Sequence, residues 1–424
     1  MKLDFVSGSY DVSFFNIHID TPKDIDNDFF YDQDNWSTFL HEFIHYLQDL
    51  VLPYTIKQNL SEVRRFIDIL YFAQNNGYIK RPFYNWSQDS INLMQQFCIT
   101  FGNSGFINQV FNVKNISNTY LEMQGYDGHL DKIRKFRVYG YKMQIETDNA
   151  NSEEYILGAR DFLEYIAYKV ELKFYPNRTT APQLPYESID IIFDKHGLSS
   201  VSEEKRICVA EFCLYNDAPM HMLIHTLFKD NDFVELLKNA DYQKVYEYLM
   251  TSRIVTRDGN GELLTEKTLR RLEQFAEELK YQYDGFDLIV EWISNVNAFI
   301  KSNFYGKFLL SDIYYMDLTE SKELILKIIN EIGVPIVSNS KNQYTSLGFS
   351  EEEKQQFAQI YTLQHFMRFV SSNSKKCPVY DFCKANGGIG NKNCKLKCDS
   401  IKGIGDCYYN RFLSNYGISD LKYN

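Results

Sequence analysis

Proline and tryptophan are scarce in this chain, nine and three among 424 residues. So few prolines exclude long proline-rich linkers, and no fixed-period repeat or low-complexity tract takes their place. Positive charge is in deficit as well. Lys and Arg number 45 against 56 Asp and Glu, a formal net charge of -11. A chain charged this way has no general electrostatic pull towards nucleic acid or an anionic membrane, and neither is an expected partner. Its best basic clusters, Arg134-Lys135-Phe136-Arg137 and Ser374-Lys375-Lys376, are short and read as solvated surface. Nowhere do about 18 apolar residues follow one another, so no membrane-spanning helix is expected. The first residues carry one Lys, an early Asp4 and no sustained apolar run, which does not read as a signal peptide. A cytoplasmic location is the default expectation. The glycine-rich strings at 387–390 and 403–405 neither follow a strand nor open a helix, so no nucleotide loop is expected.

Apolar residues, by contrast, are plentiful. They make up 44% of the chain, and 32 Tyr and 32 Phe dominate the aromatic share. That is ample for a buried core and excludes a disordered chain. The length suggests two or three units, at roughly 150 residues each.

Patterning along the chain predicts an α+β fold that is predominantly helical. Asp11 to Asp20 is strand-like, and Thr21-Pro22 breaks it. A helix should follow, with Asn35 or Ser37 as cap and Leu40, Phe43, Ile44 and Leu47 at helical spacing. Leu60 to Asn75 reads as a second helix. Phe136–Tyr139 and Tyr141–Ile145 read as a strand pair turning at Gly140. A long helix is expected from Glu153 to about Phe174, ended by the Pro176–Pro185 stretch. Beyond it the periodicity predicts helices at Glu203–Tyr215, Val234–Met250, Thr265–Tyr283, Asp287–Ser302, Glu320–Ile332 and Glu351–Val370. The expected division is a catalytic unit with a small N-terminal β-sheet at 1–200, a helical region at 201–372 and a cysteine-bearing tail at 373–424.

One short motif carries chemistry. His41-Glu42-Phe43-Ile44-His45 places two histidines four apart. On a helix they share a face one turn apart, so both imidazoles can reach one zinc ion. Glu42, beside the first ligand, is placed to take a proton from water at that metal. Such a pattern arises by chance in about one per cent of chains this long, judged from average residue usage. The context counts against chance, because two histidines and a glutamate on a buried helix are costly without partners.

Residues 37–50 resemble the active-site helix of zincin metallopeptidases. The resemblance implies a zinc-dependent peptidase with Glu42 as general base and a protein or peptide substrate. It also implies a twisted sheet above the helix whose edge strand pairs with substrate. The longer metzincin motif is absent, because residue 48 is Gln and residue 51 is Val. The third ligand should then come from a later helix, as in gluzincins. The string Gly158-Ala159, Leu163-Glu164, Ala167 resembles the gluzincin ligand helix, which implies Glu164 as the ligand; where that pattern has Asp, position 168 is Tyr. Asp161 and Glu171 are the alternatives, and Glu171 could instead steady a zinc-binding histidine. For the oxyanion-stabilising donor the candidates are His129 or one of the tyrosines.

His221 and His225 have ligand spacing without the glutamate and read as partly buried helical residues. Cys98, Cys208 and Cys213 read as reduced core residues. Cys377, Cys383, Cys394, Cys398 and Cys407 crowd the tail, where a second, structural zinc, free thiols and disulfides all stay open. Two functional readings result: a zinc peptidase, which could be an intracellular regulatory, toxin or defence enzyme, and a non-catalytic binding protein on the same scaffold.

Overall fold

Three short strands open the chain: β1 (Lys2–Phe5), β2 (Gly8–Asp11) and β3 (Asn16–Ile19). They come from a computed structural model that describes the chain apart from residues 1, 6–7, 26–32, 103–104, 108–110, 128–131, 148–151, 178–180, 256–260, 283–286, 342, 386–393, 395–406, 420–421 and 424. β2 pairs antiparallel with β1 on one side and β3 on the other, with Gly8 opposite Phe5 and Ile19. The turn between β2 and β3 holds Ser13 and Phe15 at positive φ, 74° and 52°. Such angles are uncommon for residues with a side chain. Here the Ser13 amide donates to Asp49 Oδ2 at 2.7 Å, which pins the turn.

The sheet is completed from far along the chain. Strand Val334–Asn339 runs parallel to β3, Ile336 opposite Asn16, and Tyr344–Leu347 pairs antiparallel beyond it. The region read as helical, 201–372, thus gives two strands to the N-terminal unit.

Helix α1 (Gln33–Val51) lies against β2 and β3. Asn35 and Ser37, expected as caps, lie inside it and are buried. The helix starts earlier because Trp36 already belongs to the packed face, its ring 5.6 Å from that of Phe39. Helix α2 (Pro53–Asn76) follows at once, with proline in the first turn, where no amide is needed, and Gly77 ending it at φ 71°. After β4 (Tyr78–Ile79) comes α3 (Gln88–Thr100), capped by Ser87, whose hydroxyl accepts the Ser90 amide.

Two expectations fail in the next stretch. Gly140 is no turn. It lies within one continuous strand, β6 (Lys132–Thr147), which pairs along its length with β5 (Phe111–Asp127). Gly140 is needed for closeness instead, since a Cβ there would meet Ile99 Cγ2 of α3 at 3.0 Å. Nor does the long helix start at Glu153. Residues Ser152–Leu157 form β7 on the other edge of β6, and helix α4 runs only from Ala159 to Phe174. The break falls at Gly158, whose Cβ would lie 2.2 Å from the Phe101 carbonyl carbon. Only glycine lets the two backbones touch there.

The helices expected beyond residue 200 form within a residue or two of their predicted bounds, apart from Val234–Met250. That segment is two helices, Asn231–Asn239 and Tyr242–Thr251, because Asp241 caps the second through the Lys244 amide. One contiguous hydrophobic core runs from Tyr10 to Ile418 and includes buried residues of the tail. Among the described residues no helix is long and apolar enough to cross a membrane.

Candidate metal centre

Helices α1 and α4 pack side by side and bring three side chains to one point. His41 and His45 come from α1, one turn apart, and Glu164 comes from the middle of α4. Glu164 Oε2 lies 3.5 Å from His41 Nε2 and 3.4 Å from His45 Nε2. Among the described residues these three form the one group of three or more histidine, cysteine and carboxylate side chains whose ligand atoms lie within 4.8 Å of one another. Two ligand atoms each about 2.05 Å from a tetrahedral zinc stand about 3.3 Å apart. The observed separations therefore suit an ion of that size.

Burial makes the group costly by itself. His41 and Glu164 are fully buried, and His45 is 1% exposed. His45 Nε2 and both Glu164 oxygens make no hydrogen bond among the described residues. Polar atoms so placed carry a desolvation penalty unless something binds them. A cation between them would give His45 Nε2 and Glu164 Oε2 a partner at once. Burial lowers the pKa of His45, although Glu164 opposes the shift. The imidazole is thus held neutral, the form that ligates a metal. Burial pushes Glu164 up, but His45 and His41 outweigh it and hold the carboxyl at about 2. The carboxylate is therefore ionised.

A ring of further contacts aims these groups. Glu171, two α4 turns beyond Glu164, takes the other side of His41, with Oε2 3.0 Å from Nδ1. That bond leaves Nε2 facing Glu164. His45 Nδ1 is 2.7 Å from Gln48 Oε1, and Gln48 Nε2 donates to the Leu163 carbonyl at 3.0 Å. Gln48 thus orients His45 and ties α1 to α4. Gln48 was not expected in the site; its place one turn after His45 is the one local signal that points to it. Asp161, an alternative ligand, is engaged elsewhere: it caps α4 through the Gly158 amide at 2.8 Å and accepts from Tyr155 at 3.0 Å. Arg160 Nε approaches Glu164 Oε1 at 3.9 Å.

Glu42 is fully buried on the same helix, beneath β2. The approach is tight: a Cβ on Gly8 would lie 2.8 Å from Glu42 Oε1. Tyr10, two residues along β2, stacks its ring 6.4 Å from His45 and donates its hydroxyl to Asp49. Tyr186, fully buried, sets its ring 6.1 Å from His41. As it stands, the centre is closed to solvent.

No protein-family model, curated protein or solved structure matches this chain. Of the other candidates, His129 lies outside the described residues, as does Cys398. His221 and His225 pack against the β5–β6 hairpin instead. His221 Nδ1 is 2.8 Å from the Tyr141 hydroxyl, and His225 Nε2 is 2.9 Å from Asn118 Nδ2.

Proposed function

We propose that the chain is a zinc-dependent metallopeptidase of the zincin type. The observation that carries this reading is the meeting of His41, His45 and Glu164 at tetrahedral ligand spacing, with Glu42 adjacent. His41, His45 and Glu164 hold the metal. Zinc in that place supplies Lewis acidity, making water acidic near neutral pH and polarising a carbonyl. Glu42 accepts the proton from water at its carboxylate and returns it to the nitrogen of the leaving amine. Glu171 and Gln48 keep the two imidazoles turned inward. An extended peptide would lie along the sheet above α1. The strand over Glu42, β2, is paired on both sides, and β1 is the outer strand at that end of the sheet. Substrate therefore adds at β1 or takes its place.

The closed burial of the centre favours a second reading, a structural metal site on a non-catalytic scaffold, since catalytic zinc keeps an open position. Metal analysis and peptidase assays on wild type and Glu42→Gln separate the two. The peptidase reading expects zinc in both proteins and cleavage of unfolded protein substrates by wild type alone. A zinc-loaded wild type that cleaves nothing, and unfolds when chelated, establishes the structural role instead. A wild type without metal at His41 and His45 ends both.

A further inference from the structure

The tail brings four cysteines together from separate stretches of chain. Cys383 lies in the helix Tyr380–Ala385, and Cys377 lies just before it. Cys407 caps the helix Tyr408–Asn415. Cys394 comes from between the helices, and its carbonyl accepts the Cys377 amide at 2.8 Å. All four are buried, at 3% to 5% exposure. Burial pushes the Cys383 thiol up to about 12, and the sulfurs of Cys377, Cys407 and Cys394 press it the same way. Burial also raises Cys407, again with Cys377 and Cys394 adding to it. Phe382 and Tyr408, the chain neighbours of Cys383 and Cys407, set their rings edge to face 5.2 Å apart, so the two helices meet where those cysteines lie.

Single buried cysteines are ordinary small hydrophobes. This group differs in two respects. An amide is turned on one of the sulfurs: the Asn410 N–H donates to Cys407 Sγ at 3.4 Å. Donors of this kind steady metal-bound thiolates. The segment also needs fastening. Its two helices, of six and eight residues, are too short to persist alone. They dock on the body through buried aromatic contacts, Phe382 on Tyr361 at 4.6 Å and Phe412 on Phe66 at 5.8 Å.

We propose that Cys377, Cys383, Cys394 and Cys407 form a second metal site, a structural zinc bound by four thiolates that pins the tail to the body. Zinc suits an all-sulfur tetrahedron. About 2.3 Å from each sulfur, it would draw the four to about 3.8 Å apart. Among the described residues only the histidine–glutamate group already has its ligand atoms within 4.8 Å of one another, so the cysteine cluster contracts on binding. The proposal is independent of the peptidase reading.

The test uses the full chain with His41→Ala and His45→Ala, which empties the first centre, purified under reducing conditions. Zinc content should be about one per chain, against about two for wild type. Loading with cobalt(II) in place of zinc should give the sulfur-to-cobalt charge-transfer band in the near ultraviolet and the intense visible bands of a tetrahedral thiolate. A His/His/Glu site gives no such charge transfer. Cys383→Ser with Cys407→Ser should remove the band. Should that variant not fold, the spectrum of the histidine variant decides alone. A histidine variant with no zinc and no band, whether its thiols all titrate or intact mass shows disulfides, overturns the proposal.

Discussion

Substituting Glu171 separates the residue that holds a ligand from the residue that is one. Glu171 Oε2 stands 3.0 Å from His41 Nδ1, with both side chains buried. Glu171→Gln keeps an acceptor oxygen in that place and loses its charge. A hydrogen bond to a charged group contributes about 1.5–3 kcal/mol and a neutral one about 1, so the loss is about 1 kcal/mol. Since tenfold in affinity is about 1.4 kcal/mol, zinc binding should weaken about five- to tenfold. Glu171→Ala removes the acceptor altogether. It leaves a buried N–H unsatisfied, at about 1–3 kcal/mol, and frees the ring to turn. The loss should approach about a hundredfold, the upper end for partners behind a metal-bound histidine. Glu164→Ala should lose more than either. Competition for zinc against a chromophoric chelator, on the full chain, measures all three, with circular dichroism checking the helices. Wild-type affinity in both Glu171 variants, or tighter binding by Glu164→Ala than by Glu171→Ala, refutes the assignment.

Glu42→Gln should keep its zinc and lose about a hundredfold or more in peptide cleavage, the contribution of a positioned general base; equal turnover by the variant would remove Glu42 from the chemistry. Gly8→Ala puts a Cβ 2.8 Å from Glu42 Oε1 and Thr38 Cγ2 and 3.0 Å from the His18 carbonyl oxygen. That overpacking should cost about 1–3 kcal/mol in urea unfolding, and an unchanged midpoint would contradict the seating of β2 on α1. Glu211 is buried under the Leu310 and Ser311 amides, at 3.2 and 2.7 Å, and burial pushes its pKa up to about 7 despite them. The folded chain then holds this proton more tightly than the unfolded one, so the group's contribution to stability is full below the unfolded value of 4.5 and is lost as pH rises through 7. Glu211→Gln should flatten that fall; stability curves that stay parallel between pH 5 and 8 would show that Glu211 does not titrate there.

Much of the site was legible along the chain because it is local. His41, Glu42 and His45 lie within two turns of a single helix, and so does Gln48. Helical periodicity alone sets which of them share a face. Where two elements approach closely, periodicity misled. Gly140 looks like a turn and is a close approach to α3; Gly158 looks like helix interior and is the junction of β7 with α4. Neither role depends on neighbours in sequence, so no local pattern carries it.

The sequence by itself determined the helices, their apolar faces and the paired histidines, since these follow from spacings of three and four residues. Only the tertiary structure decided which acid faces the histidines. Asp161, Glu164 and Glu171 all lie on one helix, and the angle at which α4 packs on α1 puts Glu164 between the imidazoles, Glu171 behind His41 and Asp161 at the cap. It also decided that strand Val334–Asn339 lies beside β3, where His18 Nδ1 meets Ser338 Oγ at 3.1 Å. Such pairings are selected by the burial of whole faces against one another, a property of the assembled core that no short window of residues contains.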